Sequence, residues 1–121
     1  MTPDIIVVGQ LIIALGIYNV WLLRPHKQTA WRGGDARTME EEFHVYGLST
    51  TCMKVVRACK LACATALVIG IFYKPLAVAG AVGMAVLMLA AVLMHAKVRD
   101  PIKKSLPAAS LLVLSLMVAG L

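Results

Sequence analysis

The sequence predicts an all-α membrane protein, an antiparallel four-helix transmembrane bundle with a short amphipathic, polar segment between spans one and two. The composition and four apolar segments along the chain lead to this fold class. Of the 121 residues, 60% are hydrophobic and only 15% are charged, whereas about 25% are charged in a typical soluble domain. A soluble domain of this length could not hide so much apolar surface. The length favours one domain over residues 1–121.

The four apolar segments have the length that a membrane requires. A helix rises about 1.5 Å per residue, so about 20 residues cross a hydrocarbon core about 30 Å thick. The second segment has a clean apolar run of only 13 residues, Leu61–Tyr73, so its span must extend backwards through three basic residues. A tight turn is predicted at Lys74–Pro75. The predicted spans are about residues 5–23, 51–73, 76–96 and 101–121.

The polar segment between the first two spans, residues 24–50, contains signals for a turn and for a short helix. The run Arg32–Asp35, with two glycines, predicts a turn. Thr38 and Glu41 have the spacing of a capping box, which predicts a short helix across 40–46. A Ser-Thr pair at 49–50 then caps the second span.

The fourth span and the centre of the bundle are marked by small and special residues. Asp100 is predicted as the N-cap of span four, with Pro101 as its first helical residue. Pro107 lies six residues further on and is expected to kink that helix or tighten its first turns. Helices in lipid rely on close packing, so the small side chains of span three predict a central seam at Ala77, Ala81 and Ala85.

The basic residues fix a predicted orientation. Eleven of the twelve Lys and Arg residues lie on one side of the predicted spans, and such residues concentrate on the cytoplasmic side. The loops 24–50 and 97–100 are therefore predicted to be cytoplasmic, with both termini outside. Because topology explains the net charge of +6, no nucleic-acid partner is predicted.

Charged residues inside the second span indicate a polar pocket. By helical rise, Lys60 lies about 10 Å inside the hydrocarbon and Arg57 about 5 Å. A buried ion in a span usually marks a functional site with a partner; the alternative is that both side chains snorkel to the headgroups. The acidic residues on that side are the expected partners, unless they form a solvated face. The predicted pocket consists of Lys60, His95, Asp100, Arg57, Glu41 and Glu42.

His95 and the sulfur-containing residues leave several interpretations open. His95 has either a structural, hydrogen-bonding role or a place in a ligand site. It shares a helix face with Met84 and Met88, which would suit Cu(I), although core methionines are the simpler interpretation. The three cysteines are interpreted as small core residues without a structural disulfide. No metal site is predicted.

Aromatic residues and the absence of enzyme motifs complete the sequence-based expectations. Tyr18, Trp21, Phe72 and Tyr73 lie near predicted span ends and are interpreted as aromatic belts. The sequence has no glycine-rich phosphate loop, nucleophile elbow or HExxH pattern. No catalytic residue is therefore predicted, and whether the chain is an enzyme stays open, with a non-enzymatic role preferred for the chain on its own.

Two stretches resemble the DoxX-like family of small four-span membrane proteins. The more specific stretch combines a His, an Asp-Pro pair and a following Pro-Ala at a spacing that is typical of the family. The motifs are residues 18–24 with Arg32-Gly33-Gly34, Glu41-Glu42-Phe43 and Tyr46-Gly47-Leu48, and residues 94–97 with 100–108. The resemblance implies a multi-pass protein of the bacterial plasma (inner) membrane.

The family name comes from a subunit associated with thiosulfate:quinone oxidoreductase. The resemblance therefore implies an accessory or partner-binding membrane subunit near quinone or thiol redox chemistry. The alternative is an enzyme subunit that binds a quinone or another amphipathic small molecule near Lys60, His95 and Asp100. A small-solute carrier is a third reading. The expected partners are the lipid bilayer and either a second protein or further copies of the chain, and a quinone is the cofactor considered.

Overall fold

The computed structural model describes residues 3–23, 31–34 and 36–120. All regular structure in this part of the chain is helical, in agreement with the predicted all-α class. The first helix continues into a π-helical segment, Asn19–Leu23. Residues 24–30 of the predicted polar loop, Asp35 of the predicted turn and Leu121 of the fourth span lie outside the described residues. The helices are α1 Pro3–Tyr18, α2 Met39–Val45, α3 Thr50–Ile69, α4 Lys74–Lys97 and α5 Ile102–Ala119.

The two predicted capping sites between the first spans are confirmed. Thr38 Oγ1 accepts a hydrogen bond from Glu41 N at 3.2 Å and begins α2. Ser49 Oγ accepts one from Cys52 N at 3.0 Å and begins α3. Each cap satisfies an N–H group that the helix itself leaves unpaired. The Glu41 carboxylate accepts from Arg37 N at 2.6 Å, one residue before the position that a standard capping box uses.

The predicted cap of the last helix is wrong. Helix α5 begins at Ile102 with Pro101 as its N-cap, and no side chain caps it. In the connection from α4, Arg99 has a φ of 56°, and Asp100 N donates to His95 O at 3.0 Å. This tight connection turns the Asp100 carboxylate back toward His95, where it meets other donors. Helix α5 runs through Pro107.

The turn between α3 and α4 lies earlier than predicted. Helix α3 ends at Ile69 and α4 begins at Lys74, so the turn is formed by residues 70–73 rather than by Lys74–Pro75. Pro75 sits in the first turn of α4, where its missing N–H costs nothing because those groups have no helical partner.

The four long helices pack in a closed circuit. Helix α1 contacts α3 and α5, and α4 contacts the same two helices. The predicted seam is confirmed, since Ala77, Ala81 and Ala85 are all buried. Polar bonds also join the helices: Gln10 Nε2 donates to Leu67 O at 3.0 Å. Short side chains and interhelical hydrogen bonds are what hold helices together in lipid.

The outer surface of the described helices is apolar. Large side chains such as Leu15, Val86 and Val113 are exposed by 65%, 63% and 56%. Among the described residues, three helices are long and apolar enough to cross a membrane: Asp4–Leu23, Lys74–Lys97 and Ile102–Ala119. Helix α3 has 20 residues and carries the three basic residues Lys54, Arg57 and Lys60.

Candidate functional site: a polar cavity at one end of the helices

A cavity of about 690 Å³ lies at the end of the helices where α1 and α4 finish and where α3 and α5 begin. We call this end of the molecule the α2 end. Pockets that hold small organic ligands have volumes of about 300–1,000 Å³. Side chains of α1, α4 and α5 form an apolar wall of the cavity. The polar lining includes Asn19, Arg32, Glu42, Lys60, His95 and Lys104.

Lys60 points into the bundle and is 7% exposed. The partner that the described residues give its ammonium group is the ring of Trp21, with Nζ at 4.4 Å from the ring centroid. Glu42 lines the same cavity and attracts the ammonium electrostatically. Of the acidic partners expected from the sequence, Glu42 is thus the one that acts on Lys60, whereas Asp100 binds His95 instead. The ring covers one side of the ammonium group, so a lysine, which carries three N–H donors, still has donors to offer a ligand on the other side.

Trp21 supports Lys60 from the π-helical segment. It is 5% exposed, so its assignment to an aromatic belt is wrong. Its ring meets that of Phe43 edge to face, with centroids 6.0 Å apart. The wider π turn changes the helix face on which residues after Tyr18 lie, and Tyr18 itself bonds Thr65 Oγ1 at 2.8 Å.

The turn at residues 31–34 carries a second cation into the cavity. Arg32 is 4% exposed, and its guanidinium lies 4.0 Å from the Glu42 carboxylate. The same carboxylate accepts from Gly33 N at 3.0 Å. Burial lowers the pKa of Arg32, and the neighbouring Glu42 carboxylate opposes that shift. A side chain at Gly33 would lie 2.6 Å from the ring of Tyr46, so only glycine lets the turn approach this closely.

Asp100 joins three segments of the chain. Its Oδ2 lies 2.7 Å from His95 Nδ1, and its Oδ1 accepts from Gly34 N at 2.9 Å. Lys104 Nζ lies 3.9 Å from Oδ1 and donates to Gly34 O at 2.6 Å. Burial alone would raise the pKa of Asp100, but the bonds from His95 and Gly34 and the nearby positive charge lower it overall. The group is therefore a carboxylate at neutral pH.

Tyr46 closes the site from the C-terminal end of α2. Its hydroxyl lies 3.4 Å from His95 Nε2 and 3.5 Å from Nδ1, and the two rings meet edge to face. Its carbonyl accepts from Lys97 Nζ at 2.9 Å. Burial, reinforced by the charge of Glu42 and a hydrogen bond with it, raises the pKa of Tyr46 far above its usual value. The phenol is therefore neutral.

The predicted pocket residues separate into two groups. Lys60, His95 and Glu42 line the cavity, and Asp100 touches it through His95. Glu41 is exposed and bonds Arg37 N instead, while Arg57 is half-buried on α3 and is not among the lining residues. We expect those two to have no direct contact with a molecule in the cavity.

Sequence reasoning missed four residues of the site: Trp21, Arg32, Tyr46 and Lys104. All four lie inside the motifs of the family resemblance, which was the available signal. Lys104 stands four residues after Asp100, a spacing that brings side chains together on a helix. Within the described ranges, no three His, Cys, Asp or Glu side chains meet in the way that a metal ion requires.

Comparison with known proteins adds one match. The sequence profile of the DoxX-like family matches residues 30–118, a stretch that contains α2, α3, α4 and nearly all of α5. No curated protein and no solved structure has a significant match to the sequence. The match and the three long apolar helices indicate a small membrane protein.

Proposed function

We propose that this chain, which belongs to the DoxX-like family, is an accessory subunit that binds an amphipathic small molecule of the quinone class at its α2 end. The observation that carries the proposal is Lys60, a buried cation that faces a cavity of about 690 Å³ and rests on an aromatic ring. A buried ion inside a membrane-spanning helix is costly, and its retention points to a function.

The four long helices form an antiparallel four-span bundle in this proposal. Each long helix contacts two others in the closed circuit. When successive spans cross the membrane in opposite directions, every one of these contacts joins two antiparallel helices. Helix α3 is a span as well as the three more apolar helices, since its 20 residues rise about 30 Å. Lys54 and Arg57 then lie toward the headgroups, and only Lys60 is held inside. The membrane is the plasma membrane of a bacterium, with the α2 end in the cytoplasm.

The cavity matches a molecule with an acceptor at its head and an apolar tail. The carbonyl oxygens of a quinone accept hydrogen bonds, and Lys60 and His95 offer donors to them. Lining residues of α1 and α5, such as Ile12 and Leu111, give the tail an apolar wall. Ile12 is 49% exposed, which supports a mouth of the cavity between these two helices, toward the lipid.

We infer that a partner protein uses the bound molecule. The lining groups of the cavity are suited to binding and to holding protons, and an electron donor or acceptor is then a second protein in the membrane. This role agrees with the implication of the family resemblance. A chain that converted a quinone by itself at enzymatic rates would overturn the accessory role and favour an enzyme.

Quinone binding can be followed by tryptophan fluorescence. The chain has two tryptophans, Trp21 and Trp31, and both line the cavity, so decylubiquinone should quench their emission in protein purified in nanodiscs. Lys60→Met keeps the length of the side chain and removes the charge. A hydrogen bond from a charged group contributes about 1.5–3 kcal/mol, so we expect the dissociation constant to rise at least about tenfold.

A matched control and a second probe sharpen this test. Lys54→Met removes an exposed lysine from the same helix and should leave quenching unchanged. Equal affinity in both variants would overturn the proposal. Decanoate supplies an anionic head on a similar tail, so a site that prefers decanoate to decylubiquinone would retain Lys60 as the anchor and exclude the quinone class.

The proposed orientation predicts which side of the membrane reacts with an impermeant maleimide. In a chain whose three native cysteines are replaced by alanine, Phe72→Cys should be labelled from outside intact cells, because Phe72 lies in the α3–α4 turn and is 90% exposed. Val45→Cys, on α2 at a residue that is 40% exposed, should react only after permeabilisation. The reverse pattern would contradict the orientation derived from the basic residues.

A further inference from the structure

We infer that ligand binding in the cavity is coupled to the uptake of a proton by His95, which Asp100 holds in position. The inference rests on the proposed function and extends it, because it assigns a proton-holding role to one side of the same cavity. His95 would be the group that meets the ligand, and Asp100 a positioning residue that acts through it.

The contact with Asp100 assigns the two nitrogens of His95 to different tasks. A carboxylate can only accept hydrogen bonds, and Asp100 Oδ2 lies 2.7 Å from Nδ1. Nδ1 therefore carries a hydrogen, and Nε2 is the nitrogen that gains or loses a proton. The hydrogen bond from Gly34 N to the second carboxylate oxygen, at 2.9 Å, holds the carboxylate in place, and its lowered pKa keeps it ionised.

His95 is placed to present Nε2 to a ligand. Its side chain is buried, at 6% exposed, and it lines the cavity. The Tyr46 hydroxyl is 3.4 Å from Nε2 and is neutral, so it can orient toward either protonation state. The other charged groups that line the cavity are Arg32 from the turn, Glu42 from α2, Lys60 from α3 and Lys104 from α5, and the lining residues of α1 are uncharged.

A ligand oxygen in this cavity changes the protonation of His95. An oxygen that accepts a hydrogen bond from Nε2 stabilises the imidazolium relative to the neutral ring. The proton comes from bulk solution, binds Nε2 and bridges to the ligand oxygen, while the other hydrogen stays on Nδ1 and remains hydrogen-bonded to the Asp100 carboxylate. No electron moves and no covalent bond of the ligand breaks. A ligand whose carbonyl is bound by Lys60 and His95 together therefore brings one proton into the site.

Titration calorimetry in several buffers measures this proton directly. Decylubiquinone is titrated into the full chain in nanodiscs, in buffers of equal pH and different ionisation enthalpy, and the slope of the binding enthalpy gives the number of protons taken up. We expect clear uptake by the wild type. His95→Gln keeps a donor and an acceptor but cannot titrate, so it should retain binding within about tenfold, for the loss of one hydrogen bond, and lose the uptake.

The controls separate this inference from the proposed function. His44→Gln removes an exposed histidine of α2 that bonds Thr50 and should keep the proton uptake of the wild type. Binding by the wild type without proton uptake, or uptake that survives in His95→Gln, would overturn the inference and leave the binding function standing. The absence of any binding heat or quenching would overturn both.

Discussion

Replacing Gly70 by alanine is expected to disrupt the packing of α3 against α4, because the new methyl group would lie 2.5 Å from the backbone nitrogen and Cα of Ala77. Those atoms belong to a helix and cannot rotate aside as the tip of a side chain can. Gly70 has a φ of −64°, so the effect comes from space alone. Overpacking of this kind costs about 1–3 kcal/mol and occasionally more, and we expect the upper end of that range.

Thermal unfolding in one detergent, followed by light scattering and size-exclusion profiles, measures the loss. Gly16→Ala is the matched control, since a Cβ at Gly16 meets nothing within 4 Å. Alanine in a helix is favoured over glycine by about 1 kcal/mol, so this variant should melt at or above the wild-type temperature. A Gly70→Ala protein that stays monodisperse and has the melting temperature of the wild type would contradict this expectation, because it would show that the turn can relax around the methyl group.

The features that could be predicted from the sequence are those decided over a few residues. Thr38 and Ser49 cap helices whose free N–H groups lie three residues away, so the spacing alone carries the information. The seam on α4 was predictable for a related reason, because a row of small residues indicates close approach without naming the neighbour. In the structure α3 packs beside this row, since a Cβ at Gly80, next to Ala81, would lie 3.0 Å from Cys63 O.

The features that could not be predicted depend on distant segments. Asp100 has the residue type and position of an N-cap, yet its carboxylate binds Gly34 N, 66 residues away along the chain. Trp21 near a span end is equally consistent with a belt and with the core, and the π-helical segment decides between them. Helical rise placed Lys60 inside the hydrocarbon, but it could not show that an aromatic ring would be its partner.

Replacing Asp100 by alanine is expected to release the turn at residues 31–34 from the α4–α5 connection. The change removes the acceptor of Gly34 N and the partner of His95 Nδ1. The Asp100 side chain is 5% exposed, and a hydrogen bond to a charged group contributes about 1.5–3 kcal/mol. We expect a marked fall in thermal stability and faster hydrogen exchange at the Gly34 amide.

Two variants test whether the carboxylate causes this effect. Asp100→Asn keeps an oxygen for Gly34 N but offers no charge to His95, so its stability should lie between those of the wild type and Asp100→Ala. Asp4→Ala removes an exposed aspartate from the first turn of α1 and should change the melting temperature little. Equal melting temperatures for Asp4→Ala and Asp100→Ala would contradict the role given to Asp100.

The dependence on pH follows from the direction of the pKa shift. Folding lowers the pKa of Asp100 below the value of about 3.9 that an aspartate has in an unfolded chain. The unfolded state therefore binds the proton first as the pH falls, and the stabilisation by this carboxylate is complete above about pH 4. It is lost as the pH drops through the lower pKa of the folded state. The difference in stability between the wild type and Asp100→Ala should accordingly be smaller below about pH 4 than at pH 5. A difference that persisted unchanged in acid would mean that packing, and not the charge, holds the turn in place.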